Sequence, residues 1–83
     1  MDLIRLNQIF EDVSSLNRIG YNVEFYYLDN IITVSFITDF VDRVLIKDAI
    51  YYFNQLNPKN IYYNIMVVNE KIKLSFHITI CED

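Results

Sequence analysis

The sequence predicts an α+β fold in which duplicated αββ units build a four-stranded antiparallel sheet with two helices packed on one face. Three observations carry the prediction. Apolar residues recur at helical spacing in two segments, they alternate with polar residues in four others, and the chain matches itself when displaced by forty positions. At 83 residues the chain encloses one core, so residues 1–83 are expected to form a single domain, with 1–38 the first αββ unit and 39–83 the second.

In the first segment Leu3, Leu6, Ile9, Phe10, Val13 and Leu16 fall on one arc of a helical wheel, and Asn7, Gln8, Glu11, Asp12, Ser14, Ser15 and Arg18 fall elsewhere. Gly20, the only glycine, follows the last periodic residue and is the expected helix stop, because a left-handed conformation costs a residue without Cβ least. From Tyr21 the period becomes two. Val23, Phe25 and Tyr27 alternate with Asn22, Glu24 and Tyr26, and after Asp29-Asn30 the residues Ile32, Val34 and Phe36 alternate with Thr33 and Ser35. Asp and Asn tolerate positive φ, so a two-residue turn between these strands is expected.

Asp39 is the expected N-cap of the second helix, its carboxylate accepting the free N–H groups of the following turn. That helix is expected to run to about Leu56, burying Val41, Leu45, Ala49, Tyr52, Phe53 and Leu56, and to stop before Pro58, which biases its predecessor out of helical geometry. Ile61, Tyr63, Ile65 and Val67 then form one face of a third strand. After Asn69-Glu70, Ile72, Leu74, Phe76, Ile78 and Ile80 form one face of a fourth.

Displacement by forty positions gives six identities: Asp2/Asp42, Leu16/Leu56, Asn17/Asn57, Ile32/Ile72, Ser35/Ser75 and Phe36/Phe76. A two-fold axis normal to the sheet would place equivalent strands antiparallel at its centre, giving strand order 2-1-3-4 or 1-2-4-3 and a second helix that crosses over one strand. Helices on one side leave the other side of the sheet open.

Bulk numbers set the function classes. The chain is 53% hydrophobic and 22% charged, with seven Tyr, six Phe, one Gly, one Pro and no Trp, a composition that folds and does not stay disordered. A formal charge of −4 argues against coating nucleic acid by charge alone. The first residues, Met1-Asp2-Leu3-Ile4-Arg5, lack the cationic and apolar regions of a secretory signal. The longest apolar runs are far below the roughly 20 residues that span a bilayer, so no membrane association is expected. With Cys81 alone no internal disulfide forms, and a reducing cytoplasm is the expected compartment.

No cofactor or metal is expected, because one His and one Cys lack the paired spacing of zinc ligands and a phosphate loop needs glycines this chain lacks. A catalytic grouping of His77, Ser75, Ser35 and Glu24 is rejected, since i and i+2 side chains on a flat strand project in parallel and do not converge, so no enzymatic activity is expected. What remains is the open side of the sheet. Tyr26, Leu28, Ile31, Tyr62 and Met66, with Lys73 and His77, are the candidate partner-binding residues, because Tyr and Met supply large, adaptable contact area.

The expected function is therefore non-enzymatic binding of a protein partner through the open face or an edge strand. Its most concrete form is a viral or mobile-element inhibitor of a host nucleic-acid-processing enzyme, as anti-CRISPR proteins are, with Glu11, Asp12, Glu24 and Asp29 supplying carboxylates for a basic groove. Two other readings stand beside it. One is a single-stranded RNA or DNA module, stacking bases on Tyr26 and Tyr62 beside Lys71, Lys73 and His77 as RNA-recognition-motif domains do. The other is a homodimer through the open face or an edge strand.

Overall fold

A computed structural model describes residues 3–15 and 22–81 of the chain. Their order is α1 (Leu3–Ser15), β1 (Asn22–Leu28), β2 (Ile31–Thr38), α2 (Arg43–Asn54), β3 (Asn60–Val68) and β4 (Lys71–Thr79). The strands form one four-stranded sheet in the order β1-β2-β4-β3, every neighbouring pair antiparallel. This is the second of the two orders compatible with a central two-fold axis, and α2 carries the chain across β4 from β2 to the far edge. The helix stop at Gly20 and the packing of Leu16 lie outside the described residues.

Both hairpins close through two-residue turns in which each central residue has positive φ: 51° and 64° at Asp29 and Asn30, 51° and 65° at Asn69 and Glu70. Such turns match the right-handed twist of the strands they join. The two hairpins share one register: Asn22 faces Ile37 as Tyr62 faces His77 forty positions later, and Leu28 faces Ile31 as Val68 faces Lys71. Between the hairpins the β2–β4 ladder is centred on Ser35 facing Ser75.

The core lies between the helices and the inner strands. Leu6, Ile9 and Val13 of α1 and Leu45, Ala49 and Phe53 of α2 are buried against Ile32, Val34 and Phe36 of β2 and Leu74, Phe76 and Ile78 of β4. Phe76 sits at its centre, its ring 6.1 Å from Phe36 and 5.3 Å from Phe53. Phe10 of α1 lies 4.5 Å from Phe25 of β1, so α1 covers that edge of the sheet. Arg5 donates to the Gln55 carbonyl and ties α1 to the end of α2.

Two expectations are corrected. The N-cap of α2 is Asp42, not Asp39: Asp42 has extended backbone (φ −94°, ψ 99°), and its Oδ1 accepts from the Leu45 N–H at 3.0 Å. Asp39 instead receives the Lys71 ammonium, on the next step of the β2–β4 ladder. Residues 39–42 are consumed in lifting the chain from the sheet to the helix layer, so the helix opens three residues later than the first aspartate suggests, and Val41, placed in its buried arc, is exposed. The second correction concerns β3. Its helix-side residues Tyr63, Ile65 and Val67 stay 44%, 42% and 74% exposed, because α2 covers the inner strands and stops short of this edge. Helix α2 itself ends at Asn54, its last turn tightening through Leu56 and Asn57 to a left-handed Asn57 (φ 52°) before Pro58. Among the described residues no helix is long and apolar enough to cross a membrane.

Candidate protein-docking face

The side of the sheet away from the helices is built of four rows of residues set by strand register. Leu28, Ile31, Thr79 and Asn60 form the first row; Tyr26, Thr33, His77 and Tyr62 the second; Glu24, Ser35, Ser75 and Asn64 the third; Asn22, Ile37, Lys73 and Met66 the fourth. The second row is the most organised. His77 stacks on Tyr62, with ring centroids 4.9 Å apart and planes 25° apart, and its Nδ1 lies 3.4 Å from the Thr33 hydroxyl. Imidazole and phenol thus stand face to face across β4 and β3, and a hydroxyl on the neighbouring strand β2 contacts the imidazole from its other side.

Around this row lies a shallow groove of about 660 Å³, bounded by Tyr26, Leu28 and Ile31 on one side and by Tyr62 and His77 on the other, with Asp29 at its rim. Tyr26 is 63% exposed and Tyr62 59%, so large aromatic surfaces stand in water where strand alternation puts them. Five of the seven candidate residues, Tyr26, Leu28, Ile31, Tyr62 and His77, therefore gather at one place. Met66 and Lys73 face each other two rows away and form a separate end of the face.

Three groove residues escape a reading of alternation. Thr33 has the correct facing in the sequence, but its contact with His77 depends on β2–β4 pairing, which lies between distant segments. Asp29 enters through the hairpin turn, and Tyr27 belongs to the helix-side series yet lines the groove at the strand end. The acids do not converge: Glu24 and Asp29 lie at the β1–β2 end of the sheet, whereas Glu11 and Asp12 are on α1, in the opposite layer.

The serines and the histidine are likewise kept apart. Ser35 and Ser75 bond to each other, Oγ to Oγ at 3.0 Å, and are buried beneath the bulkier side chains of neighbouring rows, while His77 is engaged by Thr33 and Tyr62. Lys71 is held by Asp39, Lys73 is half-buried beside Met66, and the only charged side chain lining the groove among the described residues is Asp29. Cys81 is exposed just beyond β4, and among the described residues no three His, Cys, Asp or Glu side chains cluster as metal ligands. Comparison of the chain with protein-family models, with curated proteins and with solved structures finds no match.

Proposed function

We propose that this chain is a non-enzymatic protein-binding domain that docks the groove around Tyr26, His77 and Tyr62 onto a protein partner. The observation that carries the reading is the character of that groove: exposed aromatic and aliphatic surface with a carboxylate at its rim. Rigid aromatic rings lose little conformational freedom on contact and are the commonest anchors of protein interfaces. The acid rim and the net charge of −4 favour a partner whose apolar contact surface is flanked by basic groups. A basic nucleic-acid groove on a host enzyme has that chemistry, and an inhibitor encoded by a virus or mobile element is the most concrete form of the function. Bases stacking on Tyr26 and Tyr62 are the weaker reading, because a phosphate chain crossing the groove would meet Asp29 and no free cation lining it.

The test uses Tyr26→Ala and Tyr62→Ala together. The immobilised chain is presented with nuclease-treated lysate, and any recovered protein is then purified and titrated directly. The double variant is expected to bind it at least about tenfold more weakly, the loss of one or two aromatic anchors, with the thermal midpoint nearly unchanged. Undiminished affinity in the double variant refutes the reading. So does tight binding of oligouridine or oligothymidine that weakens steeply with salt.

A further inference from the structure

We propose that β3 pairs with β3 of a second copy of the chain about a two-fold axis, joining two sheets into one of eight strands. Strand β3 is an edge nine residues long, Asn60 to Val68, with no charged residue and no proline. Natural edge strands are normally protected from pairing by charge, proline, brevity or a covering element. The other edge, β1, has such protection: Glu24 lies within it and α1 covers it through Phe10 and Phe25. Strand β3 has none, and it is exposed on both faces, Tyr62 and Met66 on one and Tyr63, Ile65 and Val67 on the other.

The hydrogen-bond phase of the sheet defines the register. The Ile80 N–H bonds to the Asn30 carbonyl at 2.9 Å, so even-numbered residues of β4 face β2 and odd-numbered ones face β3. Through the β3–β4 pairing the even residues of β3 bond to β4, leaving the N–H and C=O of Ile61, Tyr63, Ile65 and Val67 directed outward. One two-fold register uses all four: Ile61 opposite Val67 of the second copy and Tyr63 opposite its Ile65, with Asn64 facing its own copy on the axis. Tyr62 then meets Met66 across the open face. From Ile61 to Val67 every pair is apolar except the central amides, which bond to each other, and at the two ends Asn60 meets Val68, so the strand is complementary to itself over its middle seven residues.

Nine residues extend about 30 Å at ~3.4 Å each, and pairing along that length covers exposed side chains on both faces of the strand, Tyr62 and Met66 on one and Tyr63, Ile65 and Val67 on the other. A depression of about 470 Å³ between α2 and β3, lined by Val41, Ile46, Tyr63 and Ile65 with Arg43 and Lys47 beside them, receives the helix-side residues of the second copy. Assembly stops at two, because the joined sheet presents only the protected β1 edges.

Size-exclusion chromatography with light scattering on the full chain tests the proposal. The expected mass is twice the 10.0 kDa of one chain. Ile65→Pro removes an outward N–H and leaves the β4 ladder intact, and it is expected to give a folded monomer; Val23→Pro on β1 is expected to remain a dimer. In a Cys81→Ser background, oxidation of Asn64→Cys is expected to yield a covalent dimer, since residues facing each other in a non-hydrogen-bonded pair lie ~4.5 Å apart at Cα, within disulfide reach. Met66→Cys, which faces Tyr62, is expected not to crosslink. A wild-type chain with the mass of one copy at every concentration overturns the proposal, as does crosslinking of Met66→Cys in place of Asn64→Cys. Tyr26→Ala lies on the opposite edge of the sheet, so its effect on partner capture reports on the groove without reporting on the dimer.

Discussion

Replacing Asp42 by alanine isolates one contact that sets where the second helix begins. The Asp42 carboxylate is 7% exposed and accepts the Leu45 N–H at 3.0 Å, while its carbonyl accepts the Ile46 N–H at 3.1 Å as the first bond of the helix. Loss of such a cap costs about 1 kcal/mol, and loss of the negative charge at the positive end of the helix dipole about another 0.5 kcal/mol. The sum, about 1.5 kcal/mol, is a sizeable share of the roughly 4–12 kcal/mol available to a domain of this length, and corresponds to a thermal midpoint lowered by about 6–12 °C. Asp42→Asn keeps the acceptor and loses only the charge, so it is expected to cost about a third as much. Asp39→Ala breaks an ion pair with Lys71 whose two side chains are 67% and 52% exposed, and is expected to cost less than about 0.5 kcal/mol at physiological salt. Urea unfolding followed by far-ultraviolet circular dichroism measures all three, with an unchanged denaturant slope as the check that only stability moved. If Asp39→Ala costs as much as Asp42→Ala, the assignment of the cap is wrong.

The buried hydroxyl pair gives a second expectation. Ser35→Ala and Ser75→Ala should each destabilise by about 1 kcal/mol, because the surviving hydroxyl is stranded, and the double variant should cost clearly less than the sum of the two, a shortfall measured by a double-mutant cycle of urea midpoints. At the second turn, Glu70 holds a φ of 65° that favours glycine, so Glu70→Gly is expected to stabilise the chain by about 0.5–1 kcal/mol and to raise its thermal midpoint by a few degrees; a fall in the midpoint would contradict the turn geometry.

Much of this architecture is legible in the residues because alternation and helical spacing are local signals. The sides taken by Tyr26, Ile31, Tyr62 and His77 follow from period two alone, and the pair of compatible strand orders follows from the match between the two halves. What stays hidden is set by distances between segments. Asp39 and Asp42 are equally good caps by residue type, and only the climb from sheet to helix layer selects the later one. The forty-position match does hold that answer in outline, since it aligns Asp42 with Asp2 and the first helical residue Arg43 with Leu3. The exposure of Tyr63, Ile65 and Val67 is invisible in their spacing for a related reason: alternation gives the side a residue faces, while the reach of α2 decides whether anything covers it. The contact of Thr33 with His77 is likewise a product of strand neighbours more than forty residues apart in sequence.

The strand order separates the side chains that pack the core from those that stand in water. The inner strands β2 and β4 hold the packed side chains, and the outer strands β1 and β3 carry Tyr26, Leu28, Tyr62 and Met66. Substitution at these exposed outer-strand positions therefore changes the surface chemistry at little thermodynamic penalty, whereas a change within the inner pair disturbs the core on which both outer strands rest. A chain organised in this way can change the character of its exposed face by successive exchanges at its margins while the fold stays intact.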